Sequence, residues 1–450
     1  MKHAELVVAN TAEAFLELLR RYGHAQRDRL IHEEHVLGDR AILWGGANKI
    51  VLSSLPIMHI GHLEAYLGYE KVKNFFPRTP SASLSEDLLY DKVLFSLIVS
   101  SLVGYDSVRL LSYVASNGLI DLIAAFDSAG LHLTLVETPI TSAGGDVARI
   151  FDTKSGFRRL FYEWNSEQHG LAMPPGVICQ TPREAALETV RRLENGIACL
   201  CKADRGESGI GLLWFKEPYN VSAEQVELML MQDPAFGSDP IVVEEIVAPP
   251  RDLPPITRSP SIEAYVDPVG DVQVTYASVQ LFEGGGHFSG VLIDRLSIPE
   301  GIMRQMVDAA QFLGHNLAGK GYRGYFDVDF VVGEDHQAYL VEGNPRRTGG
   351  THAHDLAVFL FGPNYLDEHV VLTRSTHVAS ELRTWDEIVS TCDDLMFRRG
   401  EREVGVVPTV TSTLASGSLS YAILERTGQA ALALEKLFVD TIKPKNRFLS

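Results

Sequence analysis

The sequence predicts a mixed fold, part α/β and part α+β, on three observations. Short apolar runs alternate with helical patterns in the first third, alternating apolar and polar runs broken by turns come later, and 450 residues exceed one ordinary core. At about one domain per 150 residues, the length predicts roughly three units.

Over the first 150 residues the runs 41–44 (AILW), 50–55, 108–112 and 131–137 end in Gly, Pro or polar residues and read as strands. Residues 1–24 read as a short lead-in and an amphipathic helix, and Ser83 with Glu86 forms a capping box before a helical run. This pattern predicts a small parallel α/β unit whose edge falls near 142–146 (SAGGD). A second α/β stretch follows, with helices over 155–164 and 182–194 and strands over 176–178, 197–202 and 241–246. After the link APPRDLPP, the runs SIEAYVD, DVQVTYASVQLF, GYFDVDFVV and AYLVEGN read as antiparallel strands with one wet face. A helix over 301–318 interrupts them, and another α/β segment runs to the end.

Composition removes several function classes. A formal charge of −18 repels a polyphosphate backbone, so nucleic acid is not an expected partner, and a site for phosphorylated small molecules must carry its own cations. No apolar run approaches the ~20 residues that span a bilayer, and the amino terminus lacks the apolar core of a secretory signal. No membrane contact is expected, and the cytoplasm is the expected compartment. Four cysteines at irregular spacing do not make a disulfide framework or a Cys₄ zinc site; buried free thiols are expected.

The most specific constellation is Asp329, Glu342 and Asn344. Alternation puts Asp327 and Asp329 on one face of a strand, and a turn at 333–336 returns the chain with Glu342 and Asn344 two apart. Oxygen donors without His or Cys suit Mg²⁺, although the polar face of a hairpin would look the same. The continuation NPRRTGGTHAH sets the permanently charged fork of Arg346 beside those carboxylates. Upstream, Lys202 ends an apolar strand and Gly206, Gly209 and Gly211 follow in ADRGESGIG. Such a loop either cradles phosphate through its N–H groups or is a plain turn. It is neither a Walker A sequence nor GxGxxG.

The order Lys154, Lys202 with its glycine loop, VVEEIV, then DVDFVV and LVEGNPR resembles the ATP-grasp superfamily over roughly residues 110–360. The resemblance implies a pre-ATP-grasp α/β domain over 1–145, an ATP-grasp domain over 146–360 and a small C-terminal α/β domain over 361–450. Within the middle domain it implies a lid at about 175–247 and a metal-binding sheet at about 260–350. It implies ATP and Mg²⁺, two ions bridged by Glu342, as cofactors. Lys154 and Lys202 would then meet the α- and β-phosphates, with Lys202 and Arg346 the catalytic pair. Gly206, Ser208, Gly209 and Gly211 would close over the β- and γ-phosphates, and Glu244, Glu245 and Val247 would form the adenine hinge. Asp329, Glu342 and Asn344 would hold the metal, and Arg346 would meet the acyl phosphate.

After the hinge the sequence departs from the family, because APPRD intervenes where an acidic ribose contact is usual; Asp252 is the nearest candidate. Glu263 stands where relatives place a group facing the phosphates. Arg295, Thr348, Thr351 and His352 are candidate substrate contacts, and an extended segment would bring His352 and His354 to one side. The loop 283–290 is expected near an acceptor.

GGANK, GGTHAHDL and GVVP with ALEKLFVD resemble, more narrowly, peptide ligases of the pheganomycin-biosynthesis type. That implies a guanidino-bearing, amino-acid-like acid coupled to a peptide amine, and a homodimer is compatible with it. The rival readings are an ATP-grasp kinase or carboxylase acting on another acceptor, and a nucleotide-binding regulatory protein.

Overall fold

The computed structural model describes residues 2–137, 142–165, 170–206, 209–216, 221–237, 239–283 and 287–443. The first sheet holds β1 (His3–Val8), β2 (Lys49–Leu52), β3 (Lys73–Phe75), β4 (Ser107–Ser112) and β5 (Leu133–Leu135), all parallel, in the order β3-β2-β1-β4-β5. Two expectations fail here. The amino terminus supplies the central strand β1 in place of a lead-in to a helix, because LVV is buried on both faces and shows no alternation. Residues 41–44 fall in the 3₁₀ helix Gly38–Leu43 and its cap, not in a strand. Half of the capping box forms: the Ser83 side chain accepts from the Glu86 N–H at the head of helix Leu84–Tyr90, and no return bond from the Glu86 side chain is seen among the described residues. Asp91 then caps a separate helix, Lys92–Leu102.

The segment expected as a domain edge forms helix Ser142–Phe151, which packs on helix Lys154–Trp164. The second sheet is antiparallel and holds β6 (Gly176–Cys179), β7 (Cys199–Ala203), β8 (Leu212–Phe215) and β9 (Ile241–Glu245) in the order β6-β9-β7-β8. Helices Pro182–Glu194 and Ala223–Gln232 pack together beside it. All four cysteines are free and buried, with Cys199 and Cys201 in one small apolar core.

The third sheet has eight antiparallel strands: β10 (Pro260–Val266), β11 (Val272–Glu283), β12 (His287–Ile293), β13 (Gly324–Val332), β14 (Ala338–Asn344), β15 (Val370–His377), β16 (Gly405–Val410) and β17 (Ser418–Glu425). Their order is β14-β13-β10-β11-β12-β15-β17-β16, so the C-terminal strands extend the sheet that carries the carboxylates. Helices Glu300–Gly319 and Gly428–Ile442 bury their apolar faces in one core with this sheet. A second core joins it to the first sheet: Val7, Val51 and Leu111 pack with Trp44, Tyr276, Val291, Leu356 and Val371. The N-terminal unit is therefore fixed against the sheet by apolar burial as well as by charge.

Candidate functional site

Strands β13 and β14 form the floor. Their register sets Asp327 opposite Asn344 and Asp329 opposite Glu342, as alternation on each strand requires. Asn344 Nδ2 donates to Asp327 Oδ1 at 3.1 Å and to Asp329 Oδ2 at 3.2 Å, and Arg346 Nη1 donates to Asn344 Oδ1 at 3.0 Å. From the neighbouring strands, the Ser261 hydroxyl donates to Asp327 and the Gln280 amide to Asp329. Burial pushes Asp327 up to about 7, and the Glu263 carboxylate adds to the rise. Asp329 is pushed well above the carboxylate range by burial, then by Asp327 and Glu342. Burial acts on Glu342 in the same sense, yet the charges of Lys154, Lys202 and Arg346 outweigh it and hold Glu342 below its ordinary value.

Three acids thus share one low-dielectric corner, with cations sufficient for Glu342 but not for all three. A divalent cation would relieve that crowding, and the oxygen-only donors of Asp329, Glu342 and Asn344 fit Mg²⁺. Among the described residues no group of three or more His, Cys, Asp or Glu has the geometry to hold a metal ion by itself.

The two lysines tie the second sheet to this floor. Lys154 begins its helix behind the N-cap Thr153; its Nζ donates to Glu342 Oε1 at 2.6 Å and to Gly206 O at 2.7 Å. Lys202, on β7, donates to Glu244 Oε2 at 2.9 Å and to Val341 O at 2.8 Å. Glu244 accepts from Arg158 Nη2 as well, at 2.6 Å, so its carboxylate lies buried between two cations. Beyond Lys202, the Ala203 N–H donates to Gly211 O at 2.8 Å. Gly209 and Gly211 have φ of +93° and +76°, the left-handed region that favours glycine.

Lys202, Gly209 and Glu244 face one cavity of about 740 Å³ together with the acids, Asn344 and Arg346; Lys154, Gly206 and Gly211 do not line it. Leu200, Leu212, Ile246, Val247 and Phe330 supply apolar wall, while Thr11, Glu34, Arg40, Trp44 and Tyr113 of the N-terminal unit line it as well. The Arg346 guanidinium lies over the Phe15 and Tyr113 rings, at 5.2 and 6.0 Å from their centres. Its fork is held in the cavity by π-stacking from the N-terminal unit.

Known structures share this fold over almost the whole chain. The biotin carboxylase of Campylobacter jejuni, solved as a β,γ-ATP complex, covers 97% of this chain and 91% of its own, with a TM-score of 0.56 at 13% identity. The carboxyaminoimidazole ribonucleotide synthase of Aspergillus clavatus, solved with ATP, covers 98% of each chain with a TM-score of 0.51 at 10% identity. This chain has the ATP-grasp fold. No family model matches the sequence. One curated relative, the L-propargylglycine–L-glutamate ligase of Streptantibioticus cattleyicolor, is 34% identical over 110 residues, 24% of this chain. The match spans only 22% of that ligase's length.

Within the ATP-grasp fold, the structure brings Lys202, Gly209, Glu244, Glu245, Val247, Asp329, Glu342, Asn344, Arg346, Thr348 and His352 to the cavity. Lys154 stands behind Glu342. Other candidates lie elsewhere. Arg295 is largely exposed and pairs with Asp367 at 2.9 Å, and Asp252 is exposed and 3.2 Å from His336. Thr351 is buried and donates to Glu263 at 2.5 Å, with Thr348 donating to the same carboxylate at 3.1 Å. Glu263 is therefore enclosed by hydroxyls and does not line the cavity. His352 and His354 lie on helix Thr351–Phe361, where residues two apart point in different directions; His354 bonds Tyr365 instead. Ser208 and residues 284–286 fall outside the described residues.

Sequence reading missed Ser261, Gln280, Arg158, Arg40 and Arg347. Ser261 and Gln280 could have been found from strand alternation, since they share the wet face with the acids. The three arginines carry no local motif.

Proposed function

We propose that the chain is an ATP-dependent ligase that activates a carboxylate as an acyl phosphate and couples it to an amine. The observation that carries this reading is one cavity shared by two sheets. Lys202 and a glycine turn stand on one side, and an all-oxygen donor set with an arginine fork stands on the other. The ATP complexes of its fold neighbours support nucleotide in that cavity. The ligase name of the curated relative supports carboxylate–amine coupling.

Val247 and the apolar wall beside β9 accept a purine, and Lys154 and Lys202 meet the phosphates. Asp329, Glu342 and Asn344 would hold Mg²⁺, which when bound would supply positive charge to offset that of the transferring phosphoryl group. Arg346 orients the donor carboxylate for in-line attack and stabilises the tetrahedral intermediate when the amine displaces phosphate. The second sheet and the glycine turn exclude water from the acyl phosphate. No covalent enzyme intermediate is required, and the buried cysteines offer none: burial pushes the Cys201 thiol up to about 12.

The finer reading is peptide-bond formation in natural-product biosynthesis, between a guanidino-bearing, amino-acid-like acid and a peptide amine. The net charge of −18 suits cationic substrates. A cytoplasmic homodimer is part of the same proposal. Among the described residues no helix is long and apolar enough to cross a membrane. The test is incubation with ATP, Mg²⁺ and a mixed pool of amino acids and short peptides. The expected result is a new mass equal to donor plus acceptor minus water; consumption of ATP without such a mass contradicts the reading.

A further inference from the structure

Two polar side chains in the cavity wall, the half-buried Arg40 and the buried His352, are not explained by phosphoryl transfer. Arg40, from the 3₁₀ helix Gly38–Leu43, lines the cavity, and its Nε is buried without a hydrogen-bond partner. The carboxylates of Glu34, which lines the same cavity, and of Asp39 act on its charge, but neither forms a recorded ion pair with it among the described residues. The adjacent Asp39 is committed elsewhere, accepting from the Thr411 and Ser412 N–H groups, each at 2.9 Å, and from the Ser412 hydroxyl. His352, from helix Thr351–Phe361, lines the same cavity at 1% exposure. Neither of its ring nitrogens makes a well-formed hydrogen bond; the Gly349 backbone and the Arg40 charge are the groups that act on it. Burial first, then Arg40, depresses the imidazole far below its ordinary range, so the ring is neutral and retains one donor nitrogen.

A guanidinium in the cavity wall with its Nε unpartnered, near an imidazole with an unused N–H, has the chemistry of a carboxylate receptor. Arg346 already serves the reacting end, fixed to Asn344 beside the acids. A carboxylate at Arg40 is therefore one that the reaction does not consume.

We propose that Arg40 and His352 bind the free α-carboxylate of the amine substrate, so that the acceptor is an α-amino acid presented with its amine toward the acyl phosphate. This rests on the ligase reading above and takes a free α-amino acid as the acceptor in place of the peptide amine of its finer form. Arg40 sets specificity by discrimination: an α-amide cannot neutralise the guanidinium, and its NH₂ would face that charge.

The test is thermal unfolding of the full chain with an ATP analogue and Mg²⁺, titrated with the twenty L-amino acids, their α-amides, and acids lacking an amine. At least one L-amino acid should stabilise the protein with a Kd at least tenfold below that of its amide. Arg40→Gln should erase that difference and Arg40→Lys should restore part of it, each measured against the same variant's shift with the ATP analogue alone. Equal binding of acid and amide overturns the proposal, as does Arg40→Gln behaving like the unaltered chain. Stabilisation by no L-amino acid, or only by acids without an amine, overturns it too. The ligase reading is tested separately by product mass, so either claim can fail while the other stands.

Discussion

Asp329 and Glu342 face each other in one register pair of the β13–β14 hairpin, yet their carboxyls shift in opposite directions. The difference lies in Lys154, which bonds Glu342 and not Asp329. Glu342→Gln and Asn344→Ala should each reduce ATP turnover at least a hundredfold while leaving the circular dichroism spectrum unchanged; near-normal turnover in either removes the metal assignment. Arg346→Lys should fail similarly, because an ammonium cannot reproduce a planar fork bonded to Asn344 and stacked on Phe15. Glu263 permits a pH prediction. Burial pushes this fully enclosed carboxyl from an ordinary 4.5 up to about 7, so the folded chain binds a proton that the unfolded chain has released. Stability should therefore fall as pH rises through that window, by about 3 kcal/mol from this group. Glu263→Gln should flatten that part of a denaturation series from pH 4.5 to 8; an unchanged slope refutes the assignment. At this scale the acids and Arg346 were legible because strand alternation and a known motif single them out. Arg40 and Arg158 were not, since nothing local distinguishes a buried arginine from a surface one.

Among elements, the glycine turn is the most exacting. A Cβ on Gly206 would lie 2.3 Å from the Ile210 carbonyl oxygen, and Gly209 holds a φ of +93°. Gly209→Val should lower kcat far more than it raises the KM for ATP, because a β-branched residue resists that backbone angle and crowds the approach to phosphate. Equal effects on both constants would make the turn a simple binding element. Tryptic cleavage after Arg205 should slow when an ATP analogue and Mg²⁺ are added, and an equal rate would mean that the turn does not close. The β13–β14 hairpin was legible because alternation over nine residues has one reading. The short runs at 3–8 and 41–44 were not, because four buried apolar residues fit strand, 3₁₀ or helix equally well until their neighbours are known. Strand β8, only four residues long, escaped for the same reason.

At the scale of the molecule, one buried arginine ties the N-terminal unit to the large sheet beside the apolar core that joins them. Arg347 donates to Glu137 Oε1 at 2.8 Å, to Asp355 Oδ2 at 3.2 Å and to Ser112 O at 3.1 Å, and stacks between Trp44 and Tyr325. Arg347→Met leaves two acids buried without their cation. The expected cost is about 3–5 kcal/mol, seen as a lower Tm, with activity falling because Tyr113 no longer supports Arg346. An unchanged Tm would show that apolar burial alone holds the units together. The adjacent arginines of NPRR thus divide the work: one faces the chemistry and one closes the molecule. Sequence could not separate those roles, because the partners of Arg347 lie up to 235 residues away. The same distance explains why the tail read as a separate α/β unit, when its strands complete the central sheet. The central claim is that both sheets serve one ligase site. It is tested most directly by measuring ADP and phosphate release from ATP in the presence of an acid pool, with and without added amine. The account predicts ADP and phosphate in equal amounts, rising with amine and matched by coupled product. ADP without phosphate would reveal a kinase, and no release under any condition would reveal a binding protein; either result contradicts it.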